Sequence, residues 1–254
     1  LKFCRFITLA AQTLAAFAAL AGSAMSLVWL ERENAALKAP DASPWHQNSP
    51  LIIVDAGHGG HDGGAVANGV IEKNLSLDIA RRLQRELEAR GLRVRMTRDA
   101  DVFLPLEERA AFAAKHGAAA FVSVHLNTDG EGSDAEGIET YFAEARPLSS
   151  RQRVATGSAP ASGSSDFAAA VQRSVCAGTK AQNRGTKARS YAVVAQAACP
   201  AVLVECGFIT SAAESARLKR ESYRDQVAVG IAGGVTLFLQ TQPAQSSLVA
   251  SAAE

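Results

Sequence analysis

No Cys-x-x-Cys pair occurs in the 254 residues, and neither sign of charge dominates. The four cysteines, Cys4, Cys176, Cys199 and Cys206, lack the spacing of a cysteine zinc site or a thioredoxin-like redox motif. With Cys4 in a removed or membrane-held N-terminus, three remain. One disulfide plus a free thiol and three buried reduced thiols both stay open. The 26 basic and 25 acidic residues leave a formal charge of +1, so there is no electrostatic footprint for nucleic acid. No internal repeat is visible. What is there is an ordinarily globular composition, 48% hydrophobic and 20% charged, with length for one substantial domain or two small ones.

Lys2 and Arg5 form a short basic head before "FITLAAQTLAAFAALAGSAMSLVWL", which is free of charge to Leu30. That is the pattern of a secretory signal or a signal anchor, and either would carry the remainder across a membrane. An "ALA" at Ala19 to Ala21 suits signal peptidase, while the continued apolar run is about one helical membrane span. Residues 31–50 read as a polar, proline-bearing linker, residues 51–240 as the folded domain and residues 241–254 as a disordered tail.

Within 51–240 strand and helix patterns alternate, the mark of an α/β domain: a mixed, mostly parallel twisted sheet flanked by helices. "LIIV" is a buried strand. "EKNLSLDIARRLQRELEARG" is an amphipathic helix with Leu75, Ile79, Leu83 and Leu87 on one face and Gly91 as its stop. "LRVRMTR", "AAAFVSVHLN", "GIETYFA", "SYAVVA" and "PAVLVECGF" read as further strands. "PLEERAAFAAKHG", Asp166 to Ala177 and Tyr223 to Leu239 read as helices. The stretch between Ala145 and Ser165 is an insertion poor in apolar residues, and "KAQNRGTKAR" is a basic loop.

The glycine-rich turn after the first strand, "DAGHGGHDGGAV", could be a phosphate cradle, a surface loop or a metal site. Phosphate-binding glycine loops usually lack histidine, whereas histidine is the commonest metal ligand. Two other buried runs also end in reactive groups: "AFVSVH" at His125 and "AVLVE" at Glu205. Carboxyl ends of strands in open α/β sheets share one edge, where ligands bind. Asp55, His58, His125 and Glu205 would therefore converge, and Glu72, opening the first helix, could reach the same spot. Two histidines, a carboxylate and an open position suit catalytic zinc. Such an ion acidifies water and polarises a carbonyl, and a further carboxylate can take the water's proton. His58, Glu72 and His125 fit the ligands and Glu205 the base, although chemistry does not fix which glutamate is which. Each group also has a plain structural reading, the helix N-terminus for Glu72 among them. An unpaired buried Glu205 is the costliest to explain that way.

These blocks, "IIVDAGHGGHDGGAV", "EKNLSLDIARRL", "TRDADVFLPLEERAAFA", "FVSVHLN" and "PAVLVECGFITS", resemble in order those of the zinc-dependent N-acetylmuramoyl-L-alanine amidases of the Amidase_3 type. The resemblance spans roughly residues 51–240. It implies hydrolysis of the amide joining N-acetylmuramic acid to the stem peptide's L-alanine, with peptidoglycan as substrate and one Zn2+ as cofactor. It also implies His58, Glu72 and His125 as metal ligands and Glu205 as the catalytic glutamate. Gly63 stands where the family often has proline, and an asparagine usual near Ser211 or Ala212 is missing. Some relatives plug their site with an inserted helix until a partner removes it. The insertion here lacks a strong apolar helical stripe, so self-inhibition of that kind is not expected, and the need for an envelope activator stays open.

Other residues carry weaker expectations. His61 reads as a solvent-facing turn residue, His116 as a helix C-terminal cation site, and His46 as part of the linker. Asp55 either orients a ligand histidine or closes the turn. Asn127 either touches substrate or serves a turn. Arg184 and Lys187 belong to an Arg-Gly-x-Lys element that the resemblance includes, and could bind stem-peptide carboxylates or form a solvated loop. Cys206 should face the core, because side chains alternate along a strand. The expected protein is exported to the periplasm or cell envelope, with an N-terminal segment that can engage the membrane. Two rivals remain: a zinc peptidase cutting wall peptides, and a noncatalytic peptidoglycan-binding module of the same fold.

Overall fold

The computed structural model describes residues 49–130, 132–144 and 162–242. The expected signal or anchor, His46, nearly all of the linker, residues 145–161 of the insertion and the tail from residue 243 lie outside the described residues.

A six-stranded sheet organises the chain in the order β4-β1-β5-β8-β6-β7. Its strands are β1 (Leu51–Ala56), β4 (Arg93–Met96), β5 (Ala120–Asn127), β6 (Ile138–Phe142), β7 (Asn183–Ala188) and β8 (Ala201–Phe208). All neighbouring pairs are parallel except β6 against β8. The mixed, mostly parallel α/β sheet is thus as the sequence predicts. A two-stranded hairpin, β2 (Val66–Ala67) and β3 (Val70–Ile71), precedes the first helix.

Alternation along each strand divides the core. Ile52, Val54, Val122, Val124, Val202 and Val204 face one side. There they meet α1 (Glu72–Ala89), α3 (Ser164–Thr179) and α6 (Glu221–Thr241) through Ile79, Leu83, Phe167, Val171, Val227 and Ile231. Ile53, Phe121 and Leu203 face the other side, against α2 (Leu106–Lys115) and α4 (Ala192–Ala195) through Ala113, Val193 and Val194. Burial on both faces is why these strands read as unbroken apolar runs. A further helix, α5 (Ala212–Lys219), lies between β8 and α6. Its N-cap Ser211 accepts a hydrogen bond from Glu214 N–H. The cap holds without the asparagine usual in the family.

Two expectations are corrected. "SYAVVA" is not a strand: Ala192–Ala195 form one helical turn, with the adjacent Val193 and Val194 both buried. Strand alternation would have sent them to opposite faces of a sheet, whereas both join the same apolar cluster. "KAQNRGTKAR" is not a loop: Asn183–Ala188 form edge strand β7, paired with β6. Charged side chains are a usual feature of sheet edges, and here they hid the strand. Cys176, Cys199 and Cys206 are free and buried, which selects the reduced state, and Cys206 sits in the α1/α3/α6 core as alternation predicts. Among the described residues, no helix is long and apolar enough to cross a membrane.

Candidate metal centre

The turn after β1 brings His58 over the carboxyl end of the sheet. His58 has φ +60°, a left-handed conformation costly for a residue with a side chain. Two buried arginines hold the loop in place. Arg109 donates to the carbonyls of Ala56 (2.6 Å) and His58 (2.7 Å), and Arg98 to those of Ala56 and Gly57 (both 2.8 Å). Glycine is needed at 57 because a Cβ there would lie 2.3 Å from the His125 ring, and at 64 because one would lie 2.6 Å from the Glu72 carboxylate.

The three expected ligands meet. His58 Nε2 lies 3.1 Å and His125 Nδ1 3.0 Å from the same oxygen, Glu72 Oε1. One donor atom from each residue falls within 4.8 Å of the others. Tetrahedral bonds of about 2.0–2.2 Å would set ligand atoms about 3.3 Å apart, close to the two spacings made by Glu72 Oε1, so the trio could hold a divalent ion. Glu72 is buried at the start of α1, where its Oε1 also accepts from Leu126 N–H (3.0 Å) and its Oε2 from Ala65 N–H (2.9 Å). Burial alone would raise its pKa. Hydrogen bonds and charge from His125 and His58 outweigh that and hold the carboxyl far below its ordinary range. Burial likewise opposes a charged His58, but Glu72 and Asp62 overcome it and push its pKa up to about 9.

Glu205 completes the site. It pairs directly with His125 across β5 and β8. Its Oε2 is buried with no hydrogen-bond partner. Burial is the main reason its pKa rises to about 7, with the His125 charge working the other way. A carboxylate poised near neutrality beside two histidines can accept and return a proton.

The remaining expected residues fall into place around this core. Asp55 does not touch the His58 ring. It accepts from Thr97 (2.6 Å), Ser123 (2.6 Å) and Arg109 (2.9 Å), and so reaches His58 only through the arginine. The group that orients the ring is Asp62, whose Oδ2 lies 2.8 Å from His58 Nδ1. Sequence reasoning missed it, although an acid four residues after a candidate ligand in a glycine turn was a usable signal. Asn127, Arg184 and Lys187 converge on a second buried carboxylate that was also missed, Glu139. It accepts from Asn127 Nδ2 (2.7 Å), Tyr141 OH (2.5 Å), Arg184 Nε (3.1 Å) and Lys187 Nζ (2.5 Å). A charged residue inside "GIETYF" was the available sign. His61 is exposed, and His116 caps α2 with Nδ1 2.8 Å from the Phe112 carbonyl.

A mixed α/β sheet with two histidines and a carboxylate gathered at its strand ends, beside a further carboxylate, defines a metal-dependent hydrolase. The family model for N-acetylmuramoyl-L-alanine amidase, Amidase_3, matches residues 52–237, and the chain belongs to that family. It is 34% identical over 187 residues to the N-acetylmuramoyl-L-alanine amidase LytC of Bacillus subtilis strain 168. The match takes in 74% of this chain but only 35% of LytC. The crystal structure of an N-acetylmuramoyl-L-alanine amidase from Clostridium difficile 630 superimposes with a TM-score of 0.69 at 32% identity, covering 78% of this chain and 100% of that one. The CwlD amidase of Clostridioides difficile, solved in complex with the GerS lipoprotein, gives a TM-score of 0.66 at 27% identity over 76% of this chain and 100% of CwlD.

Proposed function

We propose that this protein hydrolyses the amide between N-acetylmuramic acid and L-alanine in peptidoglycan, using one zinc ion held by His58, Glu72 and His125. The observation that carries the reading is the orphaned Glu205 Oε2, buried beside a trio whose donor spacing fits a divalent ion. Such an ion would polarise the amide carbonyl and make water easier to deprotonate. Glu205 takes the proton of the attacking water as the oxygen adds to the carbonyl carbon. It then delivers a proton to the L-alanine nitrogen as the C–N bond breaks. The products are a muramic acid carboxylate and a stem peptide with a free amine. Asp62 keeps the His58 ring turned, and Asp55, acting through Arg109, keeps the His58 backbone in place.

Arg184 and Lys187 set two cations against the single Glu139 carboxylate, which leaves net positive charge where Lys187 reaches solvent. Stem-peptide carboxylates would meet that charge, with Asn127 helping to fix Glu139 by its hydrogen bond. The catalytic unit is residues 51–240, extracytoplasmic in the periplasm or envelope, and residues 1–30 serve as its export signal or anchor. The GerS lipoprotein bound to CwlD supports an envelope protein as the class of partner.

The test is mass spectrometry of purified peptidoglycan digested by the protein, with Glu205→Ala and a chelator as controls. Intact stem peptides with a free L-alanine amine, lost in both controls, are expected. Cleavage inside the peptides would replace this reading with a peptidase, and no cleavage with the metal bound and candidate envelope partners added would replace it with a noncatalytic binding module.

A further inference from the structure

A cleft of about 330 Å³ opens beside the metal centre, with His58 and His125 in its wall. That volume is at the small end for ligand sites. Its outer wall is apolar, made by Phe103, Leu104 and Leu106 from the segment before and at the start of α2, and by Val193 of α4. Phe103 is 41% and Leu106 51% exposed, and neighbouring Val102 is 47% exposed. Isolated exposed apolar residues need no explanation, but three within five positions beside a reactive centre do.

This wall is built rather than loose. Asp101 accepts from Gly60 N–H (2.8 Å) and Lys73 Nζ (2.7 Å), which ties the segment to the metal loop and to α1. Arg98 donates to the carbonyl of Ala100 (3.0 Å). The Phe103 ring packs on His61, with centroids 4.2 Å apart. Phe103 and Leu106 thus line the cleft while both remain substantially exposed.

The two ends of the site differ in chemistry. The apolar wall adjoins the β1 loop, and the Arg184–Lys187 pair sits on β7, at the opposite edge of the sheet. Between them, in sheet order, lie His58, His125 and Glu205. The substrate of the proposed reaction is also two-ended about its scissile amide: an amino sugar with lactyl and acetyl methyls on one side, a carboxylate-bearing peptide on the other. We propose that Phe103, with Leu106, is the binding platform for the muramoyl sugar, and that the stem peptide runs the other way, over β8 and β6 toward Lys187. Charge complementarity sends the peptide to the cations, and the C–H faces and methyls of the sugar match the aromatic wall. This assignment rests on the amidase reading and adds a direction to it.

The experiment uses the full chain, zinc-loaded and carrying Glu205→Gln. Calorimetric titrations compare N-acetylmuramoyl-L-alanyl-D-isoglutamine with the sugar-free peptide L-alanyl-D-isoglutamine. The sugar-bearing ligand binds about ten-fold tighter. Phe103→Ser removes that preference and leaves peptide affinity unchanged. Leu237→Ser, which removes an exposed apolar residue on α6, changes neither. Preference retained in Phe103→Ser, or loss of affinity for both ligands alike, overturns the assignment. Digestion of peptidoglycan by the unsubstituted chain, run in parallel, separates the two levels. Stem-peptide release with an unchanged Phe103→Ser preference rejects only the platform, and no release even with candidate envelope partners added rejects the amidase reading together with it.

Discussion

Glu205 on β8 and Glu139 on β6 face each other across the antiparallel pair, and both are buried or nearly so. Their surroundings are opposite. Glu139 collects four donors, two of them cationic, whereas Glu205 leaves one oxygen buried without any. The same side chain is thereby given two uses. A fully bonded carboxylate anchors its neighbours and holds its proton away, while an unbonded one is costly at rest and free to act. The fold pays for the second with the β1, β5 and β8 core around it.

Breaking the Glu205 side should affect activity far more than stability. Glu205→Ala is expected to lower kcat by about 10²–10⁴ while the melting temperature holds or rises, because a buried unpaired carboxylate is removed. Steady-state kinetics with a thermal melt would check both halves. Next in size, Asp62→Ala frees the His58 ring and should weaken zinc affinity by about 10–100-fold, read by competition with a chromophoric chelator.

Breaking the Glu139 side should do the reverse. Glu139→Ala leaves Arg184 and Lys187 facing each other and Tyr141 and Asn127 without their acceptor. Both cations are partly exposed and can regain water, so the loss is set at about 1–3 kcal/mol by urea unfolding, below that of a fully buried pair. Activity should fall less than in Glu205→Ala. The smallest effect is in acid. Burial alone would raise the Glu139 carboxyl, but Lys187, Tyr141 and Arg184 hold it below its ordinary 4.5. Its stabilisation is therefore complete above that value and lost as pH falls through the lowered one. Glu139→Gln should flatten the acid limb of a stability–pH curve below 4.5; an unchanged limb would show that the four donors do not hold the charge.

The two carboxylates also differ in how readable they were. Glu205 ends an apolar run, as His125 does, and strand ends in an open α/β sheet share an edge, so both could be placed before any coordinates. Glu139 sits inside a short strand whose partners, Arg184 and Lys187, lie on an edge strand disguised by its charges. The network needed that pairing to become visible. The run "AVVA" was too short to separate strand from helix by periodicity. The β2–β3 hairpin carried a legible signal, Asn68-Gly69 with both residues at positive φ, between the glycine-rich turn and the first helix.

In the amidase reading, labour is divided between Glu72, which would bind the ion, and Glu205, which would move the proton. The most direct test is to measure bound zinc and peptidoglycan hydrolysis on the same preparation of Glu205→Gln, with Glu72→Gln alongside. One zinc per chain retained in Glu205→Gln with hydrolysis abolished, and zinc lost in Glu72→Gln, is the predicted result. Zinc lost from Glu205→Gln, or hydrolysis persisting in it, would contradict the assignment.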